Sequence, residues 1–282
     1  MTQPIAPEPT EAFLDGPTGL KLFTRSWKPA KSPRAVIAIC HGVNSHSGQY
    51  LWAGAELAKA GFAVFALDLR GRGRSEGERF YAESIDDYVA DLATLIRHAK
   101  AQYPGLPLFL LGHSAGGVVS CTYTLDNQAE LAGLICESFA LHVFAPDIAL
   151  TLMKGLSHVT PHAGVLKLKF DDFSRDPAAV AAMYADPLIK GEAQPVATVA
   201  ALARAGERLE REFGSITLPV FILHGTSDHT TRPDGSQLFF DTAGSTDKTL
   251  KLYEGHFHDL LNDFGKDQVM ADIVSWIDTR LA

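Results

Sequence analysis

The chain has 282 residues, is 46% hydrophobic and 21% charged, and carries a net charge of −8 at pH 7. That length suits one large domain or a domain with a modest insertion, and the apolar content supports a sizeable core, which excludes disorder for the body of the chain. The acidic balance excludes a nucleic-acid partner, because phosphate binding needs clustered Lys and Arg. Arg70, Arg72 and Arg74 are flanked by Asp68, Glu76 and Glu78 and read as a loop of mixed charge.

Residues 1–10 are Pro-rich and polar and read as a flexible tail. Two runs, around 11–14 and 20–27, suit an antiparallel ribbon at a sheet edge. Short apolar runs follow at 35–40, 62–68, 107–112, 131–138, 218–225 and 248–255, and such runs suit strands covered on both faces. Stretches of helical length lie at 49–60, 84–102, 115–127, 233–243 and 262–281. In the second, Ile85, Tyr88, Val89, Leu92, Leu95 and Ile96 recur at helical spacing and make one apolar face. The alternation predicts an α/β architecture, a mostly parallel, doubly wound sheet with right-handed crossovers. Residues 139–217 interrupt it with helix-like pieces and no convincing buried strand. A crossover needs only about a dozen residues. An α/β core over 11–138 and 218–282, with an inserted helical cap over 139–217, is therefore expected.

Cys40, Cys121 and Cys136 lie in apolar surroundings without metal-type spacing and are expected as free thiols of a reduced compartment. The N-terminus lacks the basic start and apolar run of a signal peptide, and no stretch approaches the ~20 apolar residues of a membrane span. A cytoplasmic protein without integral membrane association is expected.

Gly112-His113-Ser114-Ala115-Gly116-Gly117 follows a predicted strand and opens a predicted helix, which is the context of a nucleophile elbow. Such a turn is sharp enough to demand Gly112 and Gly116 sterically. It also aims the Ala115 amide at the place where an oxyanion forms. A serine needs a base, and histidine can take and return a proton near neutral pH. The chain has 11 histidines, so position must choose. Acid and base follow the serine in chain order on loops at the ends of later strands. Asp228 lies on the loop after 218–225, with Asp234 as an alternative that suits the first turn of a helix better. After the last strand His256 and His258 compete. The loop after Cys40 offers the Val43 amide as a second oxyanion donor. His46, Arg70, His113 and Glu137 stand at strand ends, where satisfying backbone groups is the leading expectation ahead of a supporting role at the site.

These segments resemble the monoacylglycerol lipase and lysophospholipase branch of the α/β-hydrolases, from about residue 11 onward. HGVNSHSGQY is similar to its oxyanion loop, DLRGRGRSEG to its Arg-Gly turn and GHSAGG to its elbow. SRDP with DPL is similar to its cap, HGTSDHTTRPDGSQ to its acid segment and YEGHFHDLLND to its histidine segment. The resemblance implies the α/β-hydrolase fold with a helical cap and hydrolysis of a small-molecule acyl ester such as a monoacylglycerol or lysophospholipid. It places the nucleophile on Ser114, the acid on Asp228, the base on His258 rather than His256, and the oxyanion amides on Val43 and Ala115. Thioester or amide hydrolysis, acyl transfer and slow-turnover ligand binding are the alternatives. Ser45 and Gln49 stand where the branch usually has an acidic residue and an arginine, and Ala115 where methionine is common. These changes enlarge or neutralise the surroundings of the acyl carbonyl. No metal and no organic cofactor are implied.

Within the expected cap, Ile148, Leu152 and Leu156 fall along one helix face with Ala149 and Met153 beside them. The stripe either packs the cap onto the core or lines an acyl pocket through Leu152 and Met153. Transient lipid-surface contact through the cap is the associated expectation.

Overall fold

The computed structural model describes residues 7–281, the Asp147 side chain excepted. Residues 1–6 of the expected tail lie outside that range, and residue 10 already begins a strand. β1 (Thr10–Asp15) and β2 (Lys21–Trp27) form the antiparallel edge ribbon, Phe13 opposite Phe23. β3 (Ala35–Cys40), α1 (Leu51–Lys59), β4 (Phe62–Leu67), α2 (Ile85–Gln102), β5 (Leu108–His113), α3 (Ala115–Asn127) and β6 (Gly133–Glu137) then alternate. Between β6 and the next core strand come α4 (Asp147–Leu156), β7 (Gly164–Leu166), α5 (Pro177–Ala185), β8 (Gln194–Pro195) and α6 (Val196–Glu212). The chain closes with β9 (Val220–Gly225), α7 (Pro233–Thr242), β10 (Lys248–Tyr253) and α8 (Lys266–Asp278).

The sheet order is β1-β2-β4-β3-β5-β6-β9-β10. Every pairing from β4 to β10 is parallel, and β2 joins β4 antiparallel. Strands β3, β4, β5, β6 and β9 are buried at every residue. Their side chains alternate between two cores, as a two-residue period requires. Val36, Ala38 and Cys40 pack with α2, α3 and Phe239 of α7, whereas Ala35, Ile37 and Ile39 pack with α1 and α8. Helices on both faces are why these strands read as unbroken apolar runs. The last run differs from that expectation: β10 is an edge strand with one neighbour, and Thr249 and Leu252 are exposed. The α2 start is set by a capping box in which the Ser84 and Asp87 side chains serve each other's backbone N–H groups.

The inserted segment is mainly helical. Ala205 and Leu209 of α6 join the core that holds α2 and α3. Phe170, Phe173, Met183 and Ile189 form a small apolar cluster of their own. The ribbon of β7 and β8 is too short to have shown a strand period in the sequence. Among the described residues no helix is long and apolar enough to cross a membrane.

Candidate active site

β5 runs straight into α3 through Ser114, which adopts φ +56 and ψ −122. A non-glycine residue there costs about 1–3 kcal/mol and persists only where its surroundings over-determine it. Ser114 N–H donates to the Glu137 carbonyl at 2.9 Å, and the Ser114 carbonyl accepts from Gly117 N–H at 2.9 Å. The flanking glycines are sterically required. A Cβ on Gly116 would lie 2.2 Å from the Cys40 carbonyl oxygen, and one on Gly112 would lie 2.5 Å from Ser120 Oγ. Gly42 brings the loop after β3 against this turn, for its Cβ would stand 2.9 Å from Ser114 Cβ and 3.4 Å from Ala115 N. Val43 and Ala115 are both buried, yet among the described residues no acceptor takes either N–H. Two free amides thus flank Ser114.

Asp228 sits on the loop after β9. Its Oδ2 accepts from His258 Nδ1 at 2.7 Å, Thr231 Oγ1 at 2.8 Å and His224 Nε2 at 3.1 Å. Oδ1 accepts the N–H groups of Thr230 and Thr231 at 2.7 and 2.9 Å. Burial opposes ionisation of Asp228, but His258 and the hydrogen bonds from His224 and His258 outweigh it, and the carboxyl stays well below its usual range. Asp228 thereby assigns the proton of His258 to Nδ1 and leaves Nε2 as the basic nitrogen. That Nε2 is buried and has no hydrogen-bond partner among the described residues. The His258 ring is held between Phe173, edge-on at 5.0 Å, and His113 at 4.9 Å. Ser114 Oγ makes no hydrogen bond to it among the described residues. Bonds of this kind often tighten only when substrate arrives. The residue before Ser114, His113, meets His258 through its ring and, at 3.4 Å, through Nε2 to the His258 carbonyl.

The competing residues lie elsewhere. His256 packs on Tyr253 and, among the described residues, makes no hydrogen bond to Asp228. Asp234 is in the first turn of α7, exposed, and bonds to His142 at 2.9 Å.

Two contributors were not singled out in the sequence, although they head the HGVNSHSGQY and HGTSDHTTRPDGSQ segments. His41 accepts the Leu69 N–H at Nε2, 3.0 Å, and donates from Nδ1 to the Gly42 carbonyl at 2.6 Å. Burial lowers its pKa to about 4, so it stays neutral and holds the loop carrying Val43. His224 is fixed in turn by Ser236 Oγ at 2.7 Å. Of the residues at strand ends, His46 pairs with Asp186 at 2.7 Å and Arg70 bonds to Asp91 through two nitrogens. Glu137 accepts the Leu261 N–H at 3.1 Å.

His113, Glu137 and Asp259 bring ligand-type atoms within 4.8 Å of one another, all buried. Burial and the neighbouring Asp259 charge push the Glu137 carboxyl up, and burial raises Asp259 to about 6. A cleft of about 300 Å³, lined by His46, Gln49, Trp52, Met183, Asp259 and Asn262, opens beside it. Leu152 and Met153 do not line that cleft. Leu152 is 58% exposed on α4, and Met153 is half-buried.

A family model described as serine aminopeptidase, S33, matches residues 31–264. The monoacylglycerol lipase of Mycolicibacterium smegmatis is 32% identical over 274 residues, covering 96% of this chain and 98% of that protein. The monoglyceride lipase of Homo sapiens is 34% identical over 270 residues, covering 94% and 89%. Among solved structures, the Paleococcus ferrophilus monoacylglycerol lipase aligns with a TM-score of 0.84 at 28% identity, covering 92% of this chain and 99% of that one. A soluble variant of the Saccharomyces cerevisiae monoglyceride lipase, 23% identical, shares the fold at a TM-score of 0.85, covering 99% and 97%.

Proposed function

The chain belongs to the serine aminopeptidase, S33 family, in the monoacylglycerol lipase branch of the α/β-hydrolases, which makes it a carboxylic ester hydrolase; we propose that it cleaves its ester through an acyl-enzyme on Ser114. The observation that carries this reading is the buried, partner-free Nε2 of His258, whose Nδ1 is bound by Asp228, beside a serine held at positive φ. Ser114 Oγ attacks the ester carbonyl as its proton passes to His258 Nε2. The carbonyl oxygen becomes an oxyanion held by the Val43 and Ala115 N–H groups. His258 then gives the proton to the leaving alcohol oxygen as the C–O bond breaks. Water enters, loses a proton to His258 and attacks the acyl carbon; His258 returns that proton to Ser114 Oγ as the acyl–Oγ bond breaks, releasing the acid and restoring the enzyme. Asp228 keeps the imidazole in the required tautomer and stabilises its cation.

The substrate class is a monoacyl ester, a monoacylglycerol, lysophospholipid or similar. Support comes from the lipase relatives and from residues 139–217, which act as a cap in this reading. Phe144, Ile148, Leu152 and Val159 of this segment are 63%, 81%, 58% and 76% exposed, apolar surface suited to transient contact with a lipid surface. Leu152 and Met153 then meet the acyl chain as it leaves that surface. A cytoplasmic setting fits the three free, buried cysteines, of which Cys121 and Cys136 share a 3.5 Å thiol hydrogen bond and no disulfide.

The test is hydrolysis of a p-nitrophenyl ester series together with fluorophosphonate labelling, for wild type and Ser114→Ala. The variant is expected to fold, to lose labelling and to keep less than about 1% of kcat. Labelling that persists in Ser114→Ala sinks the nucleophile assignment. Faster turnover of acyl-CoA or aminoacyl amides than of any ester sinks the substrate class, and a wild type that resists labelling points to a ligand-binding homologue.

A further inference from the structure

The loop that carries Val43 is gripped from outside the core. Asn44 stands at φ +54, a left-handed conformation that asparagine tolerates. Its N–H donates to Glu192 Oε1 at 2.8 Å, and its Oδ1 accepts from Gln194 Nε2 at 3.3 Å. Both partners come from the inserted segment and both are buried. They are held in turn by Arg72, also buried, which forms an ion pair with Glu192 and donates to Gln194 Oε1 at 2.8 Å. Arg72 is anchored from behind by Tyr88 OH at 3.2 Å.

A buried ion pair adds little net stability compared with apolar packing, so its use here calls for another reason. The bond it makes supplies one. The peptide that donates to Glu192 joins Val43 to Asn44, and fixing that peptide fixes the turn at Asn44 and the direction of the preceding Val43 N–H. We propose that Glu192 is a positioning residue for the oxyanion hole: reaching in from the inserted segment, it holds the Asn44 amide so that the Val43 N–H faces the carbonyl oxygen of a substrate bound at Ser114. The proposal rests on the assignment of Ser114 and Val43 made above. It makes the insertion and the hole one mechanical unit, so that displacing residues 192–194 disarms the hole even where the triad is untouched.

The experiment compares Glu192→Ala, Glu192→Gln and Thr198→Val on p-nitrophenyl butyrate, each assayed well below its own Tm and normalised to folded enzyme. Inhibition by a trifluoromethyl ketone, whose adduct oxygen occupies the hole, is measured in parallel. Glu192→Ala is expected to lower kcat about 10–100-fold with KM within about twofold, and to weaken the ketone by the same factor. Glu192→Gln keeps an oxygen for the Asn44 N–H and is expected to recover kcat to within about threefold. Thr198→Val removes a different buried contact between the insertion and the core, the 2.9 Å bond from Ala82 N–H, and is expected to lower Tm without lowering kcat. Should Glu192→Ala not fold, Arg72→Met with Glu192→Leu removes both charges together, and the same losses of kcat and ketone affinity are expected. Wild-type kcat and ketone affinity in folded Glu192→Ala or in the double variant overturn the proposal, as do equal kcat losses in Thr198→Val. Ser114→Ala, run alongside, separates the two readings. Activity that survives it removes the underlying assignment, whereas activity lost there but intact in Glu192→Ala removes this inference alone.

Discussion

Replacing Asp228 by asparagine changes one atom and tests the whole reading of the imidazole. In the native site Oδ1 faces two backbone donors, the N–H groups of Thr230 and Thr231. An amide NH2 cannot sit there, so in Asp228→Asn the oxygen takes the Oδ1 position and the NH2 takes that of Oδ2. That NH2 then faces His258 Nδ1, 2.7 Å away in the wild type, together with the donors Thr231 Oγ1 and His224 Nε2. Two donors cannot share a hydrogen bond, so His258 Nδ1 must become the acceptor and its proton moves to Nε2. Nε2 is the atom that has to receive the serine proton, and in that tautomer it cannot. The expected loss is about 10⁴-fold in kcat, about 5.5 kcal/mol of barrier, with KM little changed. The assay is hydrolysis of p-nitrophenyl butyrate at pH 7.5, with circular dichroism to verify the fold. Asp234→Asn and His256→Ala are controls expected to stay within about threefold of wild type. His258→Ala should match Asp228→Asn. An Asp228→Asn enzyme with more than about 1% of wild-type kcat would refute the tautomer argument, and a collapse in His256→Ala would exchange the two histidines.

His41 should make stability fall with acidification, opposed by Asp259, whose carboxyl, raised to about 6 in the folded chain, takes its proton more readily there than in the unfolded chain. Folded His41 is held neutral to about 4, whereas in the unfolded chain it takes a proton near its ordinary value of 6.5, so protons favour unfolding across that window and stability lost there is on the order of 3 kcal/mol. Asp228, whose folded carboxyl lies below its usual range, continues the loss in the same direction below ~4. Urea midpoints from pH 7 to 4 measure this, and His41→Gln, which cannot take the charge, should flatten the slope; an unchanged slope assigns it elsewhere. On the insertion, Leu152→Trp or Met153→Trp should shift the preferred acyl length downward and leave acetate esters nearly unaffected, since each methylene buried is worth at most ~0.8 kcal/mol. Equal losses for short and long esters mean that these residues only support the fold.

The strands of the central sheet, the helix start at Ser84 and the elbow context of Ser114 were all legible in the chain, because each depends on residues within a few positions of one another. An apolar run bounded by Gly or Pro, a serine three residues before an acid, and glycines two residues either side of a serine are local physical requirements. The resemblance extended that reach to the order of acid and base. The contacts of the site were not local. His256 and His258 differ by two residues in one loop; the resemblance picks the second, and the fold adds the contacts, His258 bonding the Asp228 carboxylate while His256 packs on Tyr253. The exposed side of β10 was equally hidden, since an edge strand and a central strand share the same apolar run until the neighbours are counted. Glu192 and Gln194, in a stretch as polar as any surface loop, are the extreme case. A charge is buried at tolerable cost where an opposite charge or hydrogen-bond donors meet it, and Arg72 stands 120 positions earlier in the chain. Sequence determines what each segment can form by itself; which polar groups leave water is decided when distant segments arrive together and supply the partners that make burial tolerable.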